Sequence, residues 1–336
     1  MEGSLPVAKW KTLAAFAVIY LVWGSTFLAI RIGVREVPPF LLAGMRFVAA
    51  GILLYAWMRV KGTPSPTLRE WGAATVVAVP IFVGDYGLVF WAESRVPSGI
   101  TAVMMATIPV FMALSEILFL GTQRLTARLG LALAVGIFGV GVLVSHSASF
   151  GDAPIDPWGA FALIIAAVSW AIGSAVTRRL PLPASKAMSS GAQMLVGGVL
   201  LTLFALVLGE FRGFRMQAVS AGASIALAYL IGAGSILAFT AYVWLIHHQS
   251  PTKVGTYAYV NPVVAVVLGY FLGGETVGLR TICGTGLVLV SVVVITTAKK
   301  SDSRSSMAKQ NEAQNDLFVN NSVPGSEEDV CGVEAE

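Results

Sequence analysis

The sequence is poor in charge, in cysteine and in histidine. Asp, Glu, Lys and Arg make up only 12% of its 336 residues, against roughly 25% in an average soluble domain. A chain with so few charges has too little polar surface to stand in water, which excludes an ordinary soluble globule. Its two cysteines, Cys283 and Cys331, lie one in an apolar run and one in a polar tail, which excludes a disulfide framework. His247 and His248 are adjacent, so on a helix they point in different directions and hold no metal together. Walker loops, CxxC, HExxH and GxSxG are all missing. The reading is therefore not an enzyme, with no cofactor and no metal.

Apolar residues fill the gap: 56% of the chain, with a mean hydropathy of +0.78. That places it among membrane proteins, with the lipid bilayer as its surroundings. The net charge of +4 would suit a nucleic-acid binder. The cations, however, fall between apolar runs rather than in one patch, so they read as a topology signal and not as a nucleic-acid surface. Lys9 and Lys11 precede the first run like the start of a signal peptide. That run continues past Trp23 to Ile30 without a small-residue cleavage site, which argues against one.

Ten apolar runs of spanning length predict an all-α, multi-pass protein of ten transmembrane helices. They lie near 11–30, 39–58, 71–91, 98–120, 128–146, 158–177, 187–209, 221–245, 253–273 and 279–297. Residues 300–336 are polar and low in aromatics, and are read as a disordered cytoplasmic tail. With the N-terminus inside, fifteen Lys and Arg fall on the cytoplasmic side and six outside, Arg46 being left within a span. Both termini are therefore expected to be cytoplasmic.

The two halves resemble each other. At an offset of 147, Trp23, Gly44, Gly51 and Leu53 fall on Trp170, Gly191, Gly198 and Leu200. At 153, Trp91, Pro109, Val110 and Gly121 fall on Trp244, Pro262, Val263 and Gly274. The matches divide the chain into two five-span repeats, 1–150 and 151–299. An odd number of crossings turns the second copy upside down, as in many secondary transporters. Duplication could also build a bundle that transports nothing, such as a scaffold or receptor, or a channel.

WGSTFLAIRIGVREVPPFLLAGMRFVAAGILL at 23–54, VPSGITAVMMATIPVFMAL at 96–114 and SPTKVGTYAYVNPVVAVVLGYFLGGE at 250–275 resemble the EamA family of the drug/metabolite transporter superfamily. They are most similar to its YedA-like bacterial members. The resemblance covers residues 10–298. It implies ten helices in an inverted five-plus-five repeat, export or exchange of small metabolites such as amino acids, and a bacterial inner-membrane location. The family often ends each repeat's fourth span with Leu-Gly-Glu. The second half keeps GGE at 273–275, whereas the first reads LGTQ at 120–123.

Polar residues inside the runs are the candidate site. Pro262 and Pro109 each remove a helical N–H and free the carbonyls of Ala258 and Met105, so both are candidate hinges. Tyr259 and Asn261, beside the first of these, either line a cavity or make an interhelical bond. Tyr257 either joins them or sits in an interfacial belt. Arg46 lies about two turns into its span. Its charge faces either a cavity, where it meets a carboxylate of substrate or of Asp85, or a structural partner, or it snorkels to the surface. Asp85 is also a candidate for coupling to protons. Trp23 and Ser25, midway along the first span, serve either substrate stacking or close helix packing. Glu93 is expected at the interface, Glu116 as structural, and Glu275 at a helix N-terminus. The small-molecule substrate would bind between the halves near the midplane. The sequence carries no signal of oligomeric state.

Overall fold

Helix caps and prolines divide the apolar runs into rods, and close packing of small residues joins the rods into a bundle. The computed structural model describes residues 9–115, 126–144, 155–177, 179–249, 254 and 256–294, and among these it has no strand. The polar tail, the LGTQ stretch and Glu116 lie outside the described residues. Among the described residues, seven helices are long and apolar enough to cross a membrane: α1 Lys9–Gly33, α2 Pro39–Val60, α3 Leu68–Glu93, α5 Ala127–Val144, α6 Pro157–Thr177, α7 Lys186–Val207 and α8 Ala221–Tyr242. Three apolar helices are shorter: α4 Ser98–Met112, α9 Tyr257–Gly273 and α10 Leu279–Val294. The 17 residues of α9 span about 26 Å, slightly under a hydrocarbon core. The chain is a polytopic membrane protein, with large apolar side chains such as Leu131, Phe138, Phe161, Phe271 and Ile282 exposed along its flanks.

Local chemistry sets the ends. Thr67 and Glu70 cap α3 reciprocally, Glu70 Oε2 accepting from the Thr67 N–H at 2.7 Å. Ser185 caps α7 and Ser220 caps α8. Gly274 closes α9 at φ 65°, a left-handed conformation that favours glycine. Glu210 and Glu36 cap helices of the opposite half reciprocally. Glu210 accepts from the Leu41 N–H of α2 at 2.8 Å, and Glu36 accepts from the N–H and hydroxyl of Ser220 ahead of α8, at 2.6 and 2.7 Å. A cavity of about 360 Å³ lies between these connections, lined by both acids together with Arg212, Phe214 and Arg215.

The packing is reciprocal. α2 and α7 cross at four glycines. A Cβ on Gly44 would press into Thr202 and one on Gly191 into the Tyr55 backbone. One on Gly51 would press into Leu195 and one on Gly198 into Val48. As numbers rise along α2 they fall along α7, so the two helices run antiparallel. An offset of 147 exchanges each contact for its partner. The same exchange recurs elsewhere: α1 packs on α8 and α9, as α6 packs on α3 and α4. α5 and α10 also pair, with Ser291 Oγ donating to the Ala132 carbonyl at 2.7 Å.

Each half carries one π-helical segment, Val79–Gly87 within α3 and Leu230–Leu237 within α8. A π turn inserts one extra residue and rotates the rest of the helix about its axis, often at a functional site. Pro80 is the second residue of the first segment, where its missing N–H loosens the α-helical ladder. α2 packs on the segment of α8, and α7 on the segment of α3.

The two expected hinges differ. Pro109 comes just after an interruption: the helix ends at Met105, Ala106 and Thr107 form a turn, and a new helix starts at Ile108. The Thr107 hydroxyl donates to the Met104 carbonyl at 2.6 Å within that turn. Pro262 instead lies inside the continuous α9.

Candidate functional site

Two of the predicted residues, Trp23 and Arg46, meet the π turn of α8. Trp23 of α1 donates from Nε1 to the Gly234 carbonyl at 3.2 Å. One residue on, Ser235 Oγ accepts from Nε of Arg46 at 3.0 Å and donates to the Leu230 carbonyl at 2.9 Å. That donation reaches back five residues, to a carbonyl of the π turn itself. Gly234 is small for a reason here: a Cβ would collide with Thr26 and lie 3.4 Å from Nη2 of Arg46.

Arg46 is 3% exposed, so it faces the bundle and not lipid. Its guanidinium lies over the rings of Phe47, Tyr86 and Phe90, at 4.8, 5.5 and 5.9 Å. Nη1 has no hydrogen-bond partner among the described residues. A guanidinium without water needs hydrogen-bond acceptors for its N–H groups. Cation–π contact offsets part of the lost hydration but accepts no hydrogen bond, so Nη1 stays without an acceptor among the described residues.

The expected Arg46–Asp85 pair is not formed. Arg95 and Asp156, at the rim, do make an ion pair, at 3.4 Å. Tyr86 and Phe90, four apart, form the stripe of α3 that meets Arg46. Asp85 lies one residue around the π turn from Tyr86, off that stripe. Asp85 is nonetheless 2% exposed, and its Oδ1 lacks a hydrogen-bond partner among the described residues. It is the counterpart of Ser235 when the ends of the two π segments, Gly87 and Leu237, are superposed.

Trp23, Tyr242 and Tyr257 form an aromatic triad, their ring centroids 5.1 to 6.0 Å apart. Tyr257 is therefore in the bundle beside Trp23. Ser25 Oγ shares a 2.6 Å hydrogen bond with the Tyr229 hydroxyl of α8. Asn261 is 8% exposed. With its amide nitrogen turned toward them, it donates to the carbonyls of Tyr257 and Tyr20, 3.2 Å each. It thus ties α9 to α1 where Gly24 lets the helices approach, a Cβ on Gly24 colliding with Val264. Tyr259 packs, half-buried, against the main core.

Two acids differ from expectation. Glu93, expected at the interface, is fully buried, with neither carboxylate oxygen hydrogen-bonded among the described residues. Arg31 of α1 donates to its backbone carbonyl. Glu275 does sit at a helix N-terminus, but that of α4 and not of α10. It accepts from the N–H and hydroxyl of Ser98 at 2.6 and 2.7 Å and from the Gly99 N–H at 3.0 Å. His248 stacks on Trp244 at 4.3 Å, and no metal-holding cluster occurs among the described residues.

Sequence reading missed Ser235, Tyr86, Tyr229 and Tyr242. The signal for Ser235 was available: a hydroxyl in the small-residue run IGAGS (231–235) of an apolar span. Its place in a π turn was not available, because a one-residue insertion leaves no mark on an all-apolar pattern.

The EamA-like transporter family model matches the chain twice, over residues 10–145 and 157–297. Over 288 residues the chain is 38% identical to an Escherichia coli K12 protein named as an uncharacterized inner membrane transporter, YedA. The match covers 85% of this chain and 90% of that one. It is 24% identical over 298 residues to an uncharacterized Bacillus subtilis transporter, YvbV, covering 88% and 94%. A solved crystal structure matches with a TM-score of 0.57 at 23% identity, covering 86% of this chain and 96% of that one, which shows a shared fold. Each match runs nearly the whole length of the apolar region, and on these grounds the chain belongs to the EamA-like transporter family.

Proposed function

We propose that the protein is a secondary transporter of small organic metabolites such as amino acids, an exporter or exchanger working by alternating access. In this reading ten helices cross the bacterial inner membrane, with both termini cytoplasmic, as two repeats over 1–150 and 151–299. Antiparallel pairing of α2 with its counterpart α7 supports an inverted relation. If equivalent helices run in opposite senses through one bilayer, the copies that contain them are inverted. The double match of the family model supports the same division.

The observation that carries the site is Arg46. It is buried at the seam between the halves, anchored by Ser235 of the other half, and keeps Nη1 unoccupied. It would hold the anionic group of the substrate. Trp23 and Tyr257 would offer ring faces, and Asp85 an acceptor from the second seam. Asn261 would fix α9 against α1 and Ser25 would fix α1 against α8, while the break before Pro109 and the free carbonyl opposite Pro262 would let those helices bend. Reconstituted wild type, tested for uptake and efflux against a panel of amino acids and cationic drugs, is expected to move at least one solute, and Arg46→Ala to lose that flux. A wild type that moves none of them favours a scaffold or receptor. Equal flux in both proteins removes Arg46 from the site.

A further inference from the structure

Glu93 is a second buried acid, at the end of the bundle where α1 and α3 finish and α4 begins. We propose that Glu93 is a proton-binding residue, and that it takes up one proton when this end of the bundle closes and releases it when the end opens. Its side chain is 0% exposed and both carboxylate oxygens lack hydrogen-bond partners among the described residues. An ionised carboxylate in that setting loses its hydration with no hydrogen bond in exchange, whereas the neutral acid avoids most of the cost.

The charged groups around it explain why it is not paired. Arg31, from α1, reaches Glu93, but its Nη1 is spent on the Glu93 backbone carbonyl while its Nε is unbonded among the described residues. Arg46, from α2, also acts on Glu93 electrostatically, but its Nε is held by Ser235 and its face by aromatic rings. Glu275, from the α9–α10 connection, is a second negative neighbour. Its carboxylate is occupied in capping α4. α4 and α6, which also pack on this end of α3, have no charged residue over 98–105 or 157–177. The Arg95–Asp156 pair closes the rim, its side chains 40% and 29% exposed. Parting α1 from α3 would free Arg31 from the carbonyl and admit water, so that the carboxylate could ionise.

The inference does not depend on transport and is tested without it. Hydrogen exchange of residues 91–101 is monitored in nanodiscs from mildly acid to mildly basic pH, with labelling times corrected for the chemical exchange rate. If opening releases one proton, the opening equilibrium of the wild type rises up to about tenfold per pH unit. Glu93→Gln is expected to show no such slope, and Asp85→Asn to keep it. A flat wild type overturns the proposal, as does a slope that survives in Glu93→Gln or disappears in Asp85→Asn. Should Glu93→Gln not reconstitute, the slopes of the wild type and of Asp85→Asn decide.

Discussion

α2 and α7 are counterparts that share one backbone contact and differ in what they carry. Their glycines are interchangeable through the 147-residue offset, and each helix presses its backbone on the other. At the equivalent positions 46 and 193, one has Arg and the other Gln. Arg46 reaches out of its helix to Ser235 in the opposite half. Gln193 turns back one turn, its Nε2 donating to Ser189 Oγ at 2.9 Å. The π segments differ in the same sense, with Asp85 where the other has Ser235. The halves are thus alike where backbone meets backbone and unlike where polar side chains meet in the seam. Near-symmetry lets the two backbones pack reciprocally, while chemical asymmetry places one cation, Arg46, in the seam.

The largest expected effect breaks the shared contact. Gly51→Leu and Gly198→Leu should each cost about 3 kcal/mol or more, because the neighbour is backbone and cannot turn away. Thermal unfolding in detergent should show similar losses for the two. Very unequal losses would mean that the crossing is not reciprocal.

Next comes the asymmetry. Arg46→Gln makes the halves alike at this position and should lower flux about 100-fold, the equivalent of one charge-assisted bond. Gln193→Ala should change it by less than about twofold, since it loses only a bond within its own helix. Equal losses in a proteoliposome assay would move the site away from Arg46. Ser235→Ala, which removes the acceptor from Nε, should weaken flux about tenfold with folding retained.

The smallest effects concern the reciprocal caps, which titrate in opposite directions. The Ser220 hydroxyl and N–H hold the exposed Glu36 below its ordinary value of 4.5. Its contribution is therefore full above that value and is lost as pH falls through the lower folded value. Burial pushes Glu210 up from 4.5 despite its bonds to Leu41 and Phe40. Its contribution is full below 4.5 and is lost as pH rises through the higher folded value. Replacing Glu36 with Gln should lower the melting temperature at neutral pH and converge with wild type in acid. Glu210→Gln should instead flatten the decline in stability just above 4.5. Melting curves across pH that show the same trend for both variants would remove this contrast.

Much of the architecture could be read before any coordinates. Apolar runs of spanning length have one way to satisfy their backbone in lipid, which is to form helices. Paired Trp, Gly and Pro at two offsets suggested a repeat, and the ends of the π segments, Gly87 and Leu237, fall at an offset between the two. Arg46 could be identified as buried because a lone charge in an apolar span seldom faces lipid. Its partner could not. Asp85 was a reasonable choice by charge, but which residue faces Arg46 depends on the rotation of α3 about its axis, and the π turn sets that rotation. Glu93 was misplaced for a similar reason. A position at the end of an apolar run looks interfacial until α1 and the start of α4 are seen to cover it.

Composition and periodicity by themselves determined that this chain is helical and membrane-embedded, because desolvating a backbone in lipid leaves few alternatives. Tertiary structure alone decided which polar atoms are spent on other helices and which remain free. That depends on the angular setting of packed helices, and a one-residue π insertion changes the setting without altering the hydrophobic pattern.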